Sequence, residues 1–210
     1  VGCGMGKNSL FALEDGAKHV VALDYDKRTI ETASVTLKRF SNAEVVYCSA
    51  HEMVYQNKFD IAMSLGVIHH LEDPLQVVAK MRDAVLIGGK VLIWVYSYEG
   101  NEKVVRYLDP VRKYLTSKLP MPIVNFLGYF CSIPLLFWTR IYSGSNLYIK
   151  QLGQFDFWHI HLIVVDQMLP RIANYWRKSE VENLMKEAGL RSISVTRSPH
   201  ARGWTAIGIK

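Results

Sequence analysis

Hydrophobic and polar positions along the first hundred residues switch between two periods. Lys18 to Asp24, Glu44 to Cys48, Phe59 to Leu65 and Lys90 to Tyr96 are short, mainly apolar runs that read as buried parallel strands. Between them, Lys27 to Phe40 carries Ile30, Ala33, Val35 and Leu37 as an imperfect helical stripe. Asp73-Pro74 opens the clearest helix, because Asp73 can cap free amides and proline at the first helical position needs no N–H. Leu75, Val78, Ala79, Val85 and Leu86 continue it at helical spacing, and Gly88-Gly89 reads as its stop. Alternation of this kind predicts an α/β fold, a doubly wound and mostly parallel sheet with helices on both faces.

The pattern changes at Glu99. Residues 99–177 are rich in Tyr, Phe, Trp and Pro and show no strand period, which predicts an inserted helical cap. Ser179-Glu-Val-Glu182 reads as a capping box for a helix running to Ala188, with Gly189 as its stop. Leu190 to Arg197 and Gly203 to Lys210 read as antiparallel edge strands around a Ser198-Pro-His-Ala turn. The expected organisation is therefore a core of residues 1–98, a cap of 99–177, and a return to the core over 178–210.

The chain has 210 residues, 50% of them hydrophobic and 21% charged, which excludes a disordered tail and suits one domain with an elaboration. Net charge is +6, but the basic residues are scattered and no reader motif accompanies them. The expectation is weak attraction to anions without a specific nucleic-acid partner. Cys3, Cys48 and Cys131 form no CxxC pair, so a reducing, cytoplasmic compartment is expected. The chain opens inside a glycine turn without an initiator Met, and an absent upstream segment is the expectation drawn from that.

Chemistry enters with that turn. Val1-Gly2-Cys3-Gly4-Met5-Gly6 precedes an apolar helix (Leu10, Phe11, Leu13), and Asp24 ends the next strand twenty residues after Gly4. Such a junction brings backbone amides close to a polar ligand, and the acid can accept hydrogen bonds from both ribose hydroxyls. The dinucleotide fingerprint fails in both registers, since Lys7 and Ser9 stand where its third glycine belongs. The register here is G-x-G-x-G.

On these residues the chain resembles the class I S-adenosylmethionine-dependent methyltransferases of the type-11 kind. The resemblance continues through Phe59–Leu65, Gly66-Val-Ile-His-His-Leu-Glu-Asp-Pro74 and Gly88-Gly89-Lys90-Val-Leu-Ile. It implies S-adenosylmethionine as cofactor, held by Gly2, Cys3, Gly4 and Gly6. Asp24 would hold the ribose, with Tyr25 beside the adenine, Ala50 and His51 against the adenine ring, and Leu65 and Gly66 completing the wall. It also implies a seven-stranded-type sheet whose first strand, and an acid one residue before Val1, precede this sequence. Methyl transfer from a sulfonium needs alignment in a dry pocket rather than a metal or a nucleophilic triad.

His69 and His70 follow the fourth strand of that pattern, and His69 is the candidate general base. His159 and His161 would share one face of a strand; a satisfied or substrate-lining role is preferred to metal binding. Asp166, Arg171 and Tyr175 lie in a segment that resembles one closing the acceptor pocket in some members of the family.

Leu119 to Thr139 holds 21 residues without a charge, between Lys118 and Arg140. Its length suits a bilayer span, while its three prolines favour an interfacial helix or a cap-core helical pair broken at Pro134. Val104 to Leu115 is basic and amphipathic, with Arg106, Arg112 and Lys113 placed to meet anionic headgroups. These features lead to a small or lipid-like acceptor, and to peripheral contact through 104–139 with the inner face of a membrane. The rivals are a non-catalytic nucleoside-binding module of the same fold and a nicotinamide-dependent oxidoreductase.

Overall fold

The computed structural model describes residues 1–197 and 202–210; the expected Ser198–Ala201 turn lies outside the described residues. The chain forms two units, one of Val1–Val95, Lys178–Thr196 and Trp204–Lys210, the other of Tyr96–Arg177 with Arg197, Arg202 and Gly203.

In the first unit α1 (Lys7–Glu14) leads to β1 (Val20–Asp24), α2 (Lys27–Leu37), β2 (Ala43–Tyr47), β3 (Phe59–Leu65), α3 (Pro74–Ala84) and β4 (Val85–Tyr96). β1 and β2 pair in parallel, with Val20 opposite Ala43 and Asp24 opposite Tyr47. β3 pairs in parallel with β4 in a four-stranded sheet of order β3-β4-β6-β5, where β5 is Arg191–Arg197 and β6 is Gly203–Ile209. β6 runs antiparallel to β4, since Gly88 and Gly89 bond Lys210 while Ser97 bonds Arg202. It therefore lies inside the sheet, and β5 alone is the edge strand of the expected pair. β1 and β3 belong to different sheets, and an apolar cavity of about 610 Å³ separates their flanks.

Two boundaries differ from the sequence reading. Asp73 does cap α3, accepting from the Gln76 N–H at 2.9 Å, but the helix ends at Ala84. Val85, Leu86 and the two glycines belong to β4, where the ladder jumps from Phe59–Val85 to Ile61–Lys90. The glycines thus serve an irregular strand and not a helix stop: β-branched Val85 and Ile87 favour extension, and the bulge absorbs the extra residues. Ser179 is the second residue of α8 (Lys178–Glu187), so it is not the cap of that helix.

The second unit is helical. It holds α4 (Asp109–Tyr114), α5 (Met121–Ile141), α6 (Leu147–Leu152) and α7 (Phe157–Met168). Pro134 does not break α5, which continues through it as one helix. The bond a proline forfeits there is the one to the Phe130 carbonyl, on an exposed part of the helix where water can replace it. α5 packs on α7 through Val124, Val165 and Met168. Gly128 permits the close approach, since a Cβ there would lie 2.8 Å from Val165 Cγ2 and 3.0 Å from His161 Cε1. Gly128→Ala is expected to destabilise the protein by about 1 kcal/mol, an overpacking penalty of about 2 kcal/mol less a helix-propensity gain of about 1 kcal/mol. Chemical denaturation with and without the compensating Val165→Ala checks this; an unchanged midpoint in Gly128→Ala would refute it.

Candidate cofactor site

β1, β2 and β3 end at Asp24, Tyr47 and Leu65, and the loops following these ends carry Tyr25, Ala50, His51, Gly66 and His69. The glycine loop ties two of the strands together. The Val1 nitrogen lies 2.7 Å from the Met63 carbonyl oxygen, and the Cys3 N–H donates to the Leu23 carbonyl at 2.9 Å. Gly2 has φ +69°, and a Cβ there would fall 2.3 Å from Val67 Cγ2. Gly4 has φ +52° with no atom within 4 Å of where its Cβ would be, so the space above it is open. Gly6 stands at the N-cap of α1.

Asp24 is the hub of this loop. Its Oδ2 accepts from the Gly4 N–H at 2.8 Å and its Oδ1 from the Asp26 N–H at 3.0 Å. A carboxylate offers about four acceptor positions, so about two remain for a ligand's hydroxyl pair. The open face of Gly4 and this half-used carboxylate fit a nucleoside bearing a ribose diol. Burial, helped by the Asp24 charge, pushes the Cys3 thiol pKa up, which favours the neutral thiol.

Tyr25 is exposed and stacks on Tyr47, ring centroids 6.3 Å apart and planes within 17°. Tyr47 escaped the sequence reading, although the parallel register that sets it opposite Asp24 follows once β1 and β2 pair. After β2, the Ser49 hydroxyl accepts from the His51 N–H at 3.3 Å and caps a turn of Ala50–Glu52. His51 Nδ1 lies 2.7 Å from Gln76 Oε1, a partner on α3 that no sequence pattern announced. After β3, Leu65 leads to Gly66, whose N–H donates to the Trp94 carbonyl at 3.0 Å. Gly2, Cys3, Gly4, Gly6, Asp24, Tyr25, Ala50, His51, Leu65 and Gly66 all belong to the first unit.

His69 follows in a turn of Ile68–His70 and is fully buried, 4.2 Å from the His70 ring and edge-on to Trp94 at 6.1 Å. The other candidates lie in the second unit. Tyr175 stacks on Tyr96 at 5.4 Å, and its hydroxyl accepts from Arg112 at 3.5 Å. Gln167 donates to the Tyr96 hydroxyl at 3.4 Å, and burial, with the Asp166 charge nearby, pushes the Tyr96 pKa up. Asp166 and Arg171 are exposed. Arg112 corrects an expectation: it is buried and paired with Asp109, so it cannot face headgroups.

The histidine pair is corrected too, because it sits on a helix and not a strand. Two residues apart on α7, the side chains diverge by roughly 200°. His159 is exposed against Asp156, while buried His161 bridges Ser132 at 2.7 Å and Asn125 at 2.9 Å. His161 is thereby a satisfied core histidine linking α5 to α7.

Residues 1–93 match the family model described as methyltransferase domain. Among curated relatives is the tRNA U34 carboxymethyltransferase of Shewanella halifaxensis, 27% identical over 117 residues, covering 54% of this chain and 35% of that protein. The enzyme of that name from Sulfurimonas denitrificans is 28% identical over 138 residues, covering 62% and 45%. The chain thus spans less than half the length of these two relatives. Among solved structures, an O-methyltransferase-like protein of Nostoc punctiforme aligns with TM-score 0.59 at 14% identity, covering 99% of this chain and 50% of that one. The 1,6-didemethyltoxoflavin-N1-methyltransferase of Burkholderia thailandensis, with S-adenosylhomocysteine bound, aligns with TM-score 0.60 at 15% identity, covering 100% and 68%. At such identities these structures speak for the fold.

The curated relatives overturn the expectation of no specific nucleic-acid partner, since they are named as enzymes of tRNA. The expectation rested on scattered charge and a missing reader motif, and neither excludes a polyanion from a chain of net charge +6. The matched residues, the fold and a loop suited to a nucleoside agree: residues 1–93 are similar to the methyltransferase domain that the family model describes, on the fold of such enzymes.

Proposed function

We propose that the protein transfers a methyl group from S-adenosylmethionine to an acceptor. The observation supporting this most directly is the convergence of the Gly4 N–H, the Asp24 carboxylate and the open space over Gly4 at the ends of paired strands. When bound, the cofactor supplies a sulfonium-activated methyl. In this reading Asp24 holds the ribose diol, and Gly2, Cys3, Gly4 and Gly6 hold the chain close enough for backbone contact. Tyr25 and Tyr47 flank the adenine, with Ala50 and His51 beside it and Leu65 and Gly66 completing the wall. The protein's contribution to rate is orientation and exclusion of water. A general base must reach the proton it takes, so His69, buried here, is proposed for that role only in the acceptor-bound state.

A tRNA nucleoside is the first acceptor to test, on the strength of the relatives' names and the basic charge of this chain. A small or lipid-like acceptor is the second reading, favoured by the aromatic residues exposed on α5. Asp166, Arg171 and Tyr175 are its proposed contacts. The three free cysteines support a reducing, cytoplasmic setting.

The test is transfer of radiolabelled methyl to bulk tRNA and to a lipid extract in parallel. Label in digested nucleosides supports the first reading, and label in the organic phase supports the second. Tight cofactor binding with no transfer to either would leave a non-catalytic module and sink the enzyme reading. Once an acceptor is identified, Tyr175→Phe should lower kcat/KM by about three- to tenfold, the loss of one hydrogen bond. Cofactor affinity should stay unchanged; a parallel fall would place Tyr175 elsewhere.

A further inference from the structure

The side of α5 turned away from α7 is apolar and exposed, with nothing covering it among the described residues. Phe126, Phe130, Phe137 and Ile141 recur there at helical spacing, and Trp158 and Leu162 of α7 are exposed too; each of the six is 62–80% exposed. From Phe126 to Ile141 the stripe runs about 22 Å at 1.5 Å per residue. The four residues of the α5 stripe together present on the order of 500 Å² of apolar surface, a large patch for a soluble monomer.

The length of α5, 21 residues, would suit a bilayer span, but its two sides differ. The side packed on α7 holds Ser132 and Asn125, bonded to buried His161. α7, the helix it packs on, has only 12 residues, too short to span a bilayer beside it, which suits a helix pair lying in an interface.

Charge selects the occupant. Residues 110–155 contain no Asp or Glu, and Lys113, Lys118, Arg140 and Lys150 within them are exposed. Two copies of this face would bring like charges together. An anionic surface would neutralise them while aromatic and aliphatic side chains enter the acyl boundary. We propose that the α5 face of the second unit docks on an anionic lipid surface, with α5 parallel to the membrane plane. This concerns where the protein sits and does not depend on the identity of its methyl acceptor.

The test is co-sedimentation of the protein with vesicles of equal parts phosphatidylglycerol and phosphatidylcholine, and with phosphatidylcholine alone. Binding to the mixed vesicles, weakened by salt, is expected. Phe130→Gln/Phe137→Gln should reduce partitioning by about tenfold or more, because two exposed rings no longer enter the acyl region. Lys113→Glu/Lys118→Glu should remove the preference for phosphatidylglycerol. Both double variants alter exposed positions, and an unchanged melting curve confirms that the fold is intact. Failure to bind either vesicle overturns the proposal, as does binding that ignores the phenylalanine substitutions. Lipid-free dimerisation abolished by Phe130→Gln/Phe137→Gln would assign the face to a second copy instead. Cofactor titration on the same samples reads the first unit alone, so failure here is distinguishable from failure of the methyltransferase reading.

Discussion

Asp24→Ala is expected to weaken S-adenosylmethionine binding by about ten- to a hundredfold, or about 1.5–3 kcal/mol, the worth of hydrogen bonds to a charged acceptor. The carboxylate already accepts from the Gly4 and Asp26 amides, so alanine removes both the proposed ribose contact and a tether of the glycine loop. Asp24→Asn separates the two effects. It keeps an acceptor oxygen for one amide while removing the charge, and it should show an intermediate loss. Titration calorimetry gives the affinities, and a thermal melt shows whether the strand-terminal substitution leaves the fold intact, as expected. Wild-type affinity in Asp24→Ala would remove the residue from the site.

The second large effect is a contrast between neighbouring glycines. At Gly2 an alanine Cβ would sit 2.3 Å from Val67 Cγ2, in a backbone conformation of φ +69° that side chains rarely adopt. Gly2→Ala should cost about 2–4 kcal/mol of stability, combining overpacking with left-handed strain. Val67→Ala in the same chain should recover part of that loss. At Gly4 the fold sees only the strain, about 1 kcal/mol, because nothing lies within 4 Å of the new Cβ. That Cβ would instead occupy the open space assigned to the cofactor, so Gly4→Ala should lose at least about tenfold in cofactor affinity while staying folded. Denaturation midpoints set beside cofactor titrations decide the matter. Equal behaviour of the two variants would mean that the loop is a structural turn and not a cradle.

Much of this architecture was legible along the chain because it depends on local rules. The apolar runs ending at Asp24 and Leu65 became β1 and β3, with Ala22, Leu23 and Ala62 buried, since parallel strands covered by helices are mainly apolar. Asp73-Pro74 began α3, because capping and the missing proline N–H are settled within one turn. Asp24 was marked by its distance from the glycines, and the structure joins it to Gly4 directly.

What failed depended on partners remote in sequence. Val85 to Gly89 continues the helical period of α3, yet those residues extend as β4, because pairing of Val85 with β3 and of Gly88 and Gly89 with Lys210 outweighs a local preference of a few tenths of a kcal/mol per residue. Phe157-Trp-His-Ile-His161 alternates like a strand but forms a helix against α5, where Gly128 makes room for the ring of His161. Arg112 belongs to a basic, amphipathic pattern and is nevertheless buried, because Asp109 one turn earlier and Tyr175 far along the chain supply its partners.

The amino-acid sequence by itself thus determined the α/β alternation, the glycine loop with its acid, and the uncharged run of α5. Each is a matter of composition and spacing over a few turns. Only the tertiary structure decided which side of α5 is covered, that Tyr47 joins Tyr25, that His51 meets Gln76 and that His69 is buried. Those outcomes are set by which elements pack together, and packing depends on side chains tens of residues apart whose meeting no local period records.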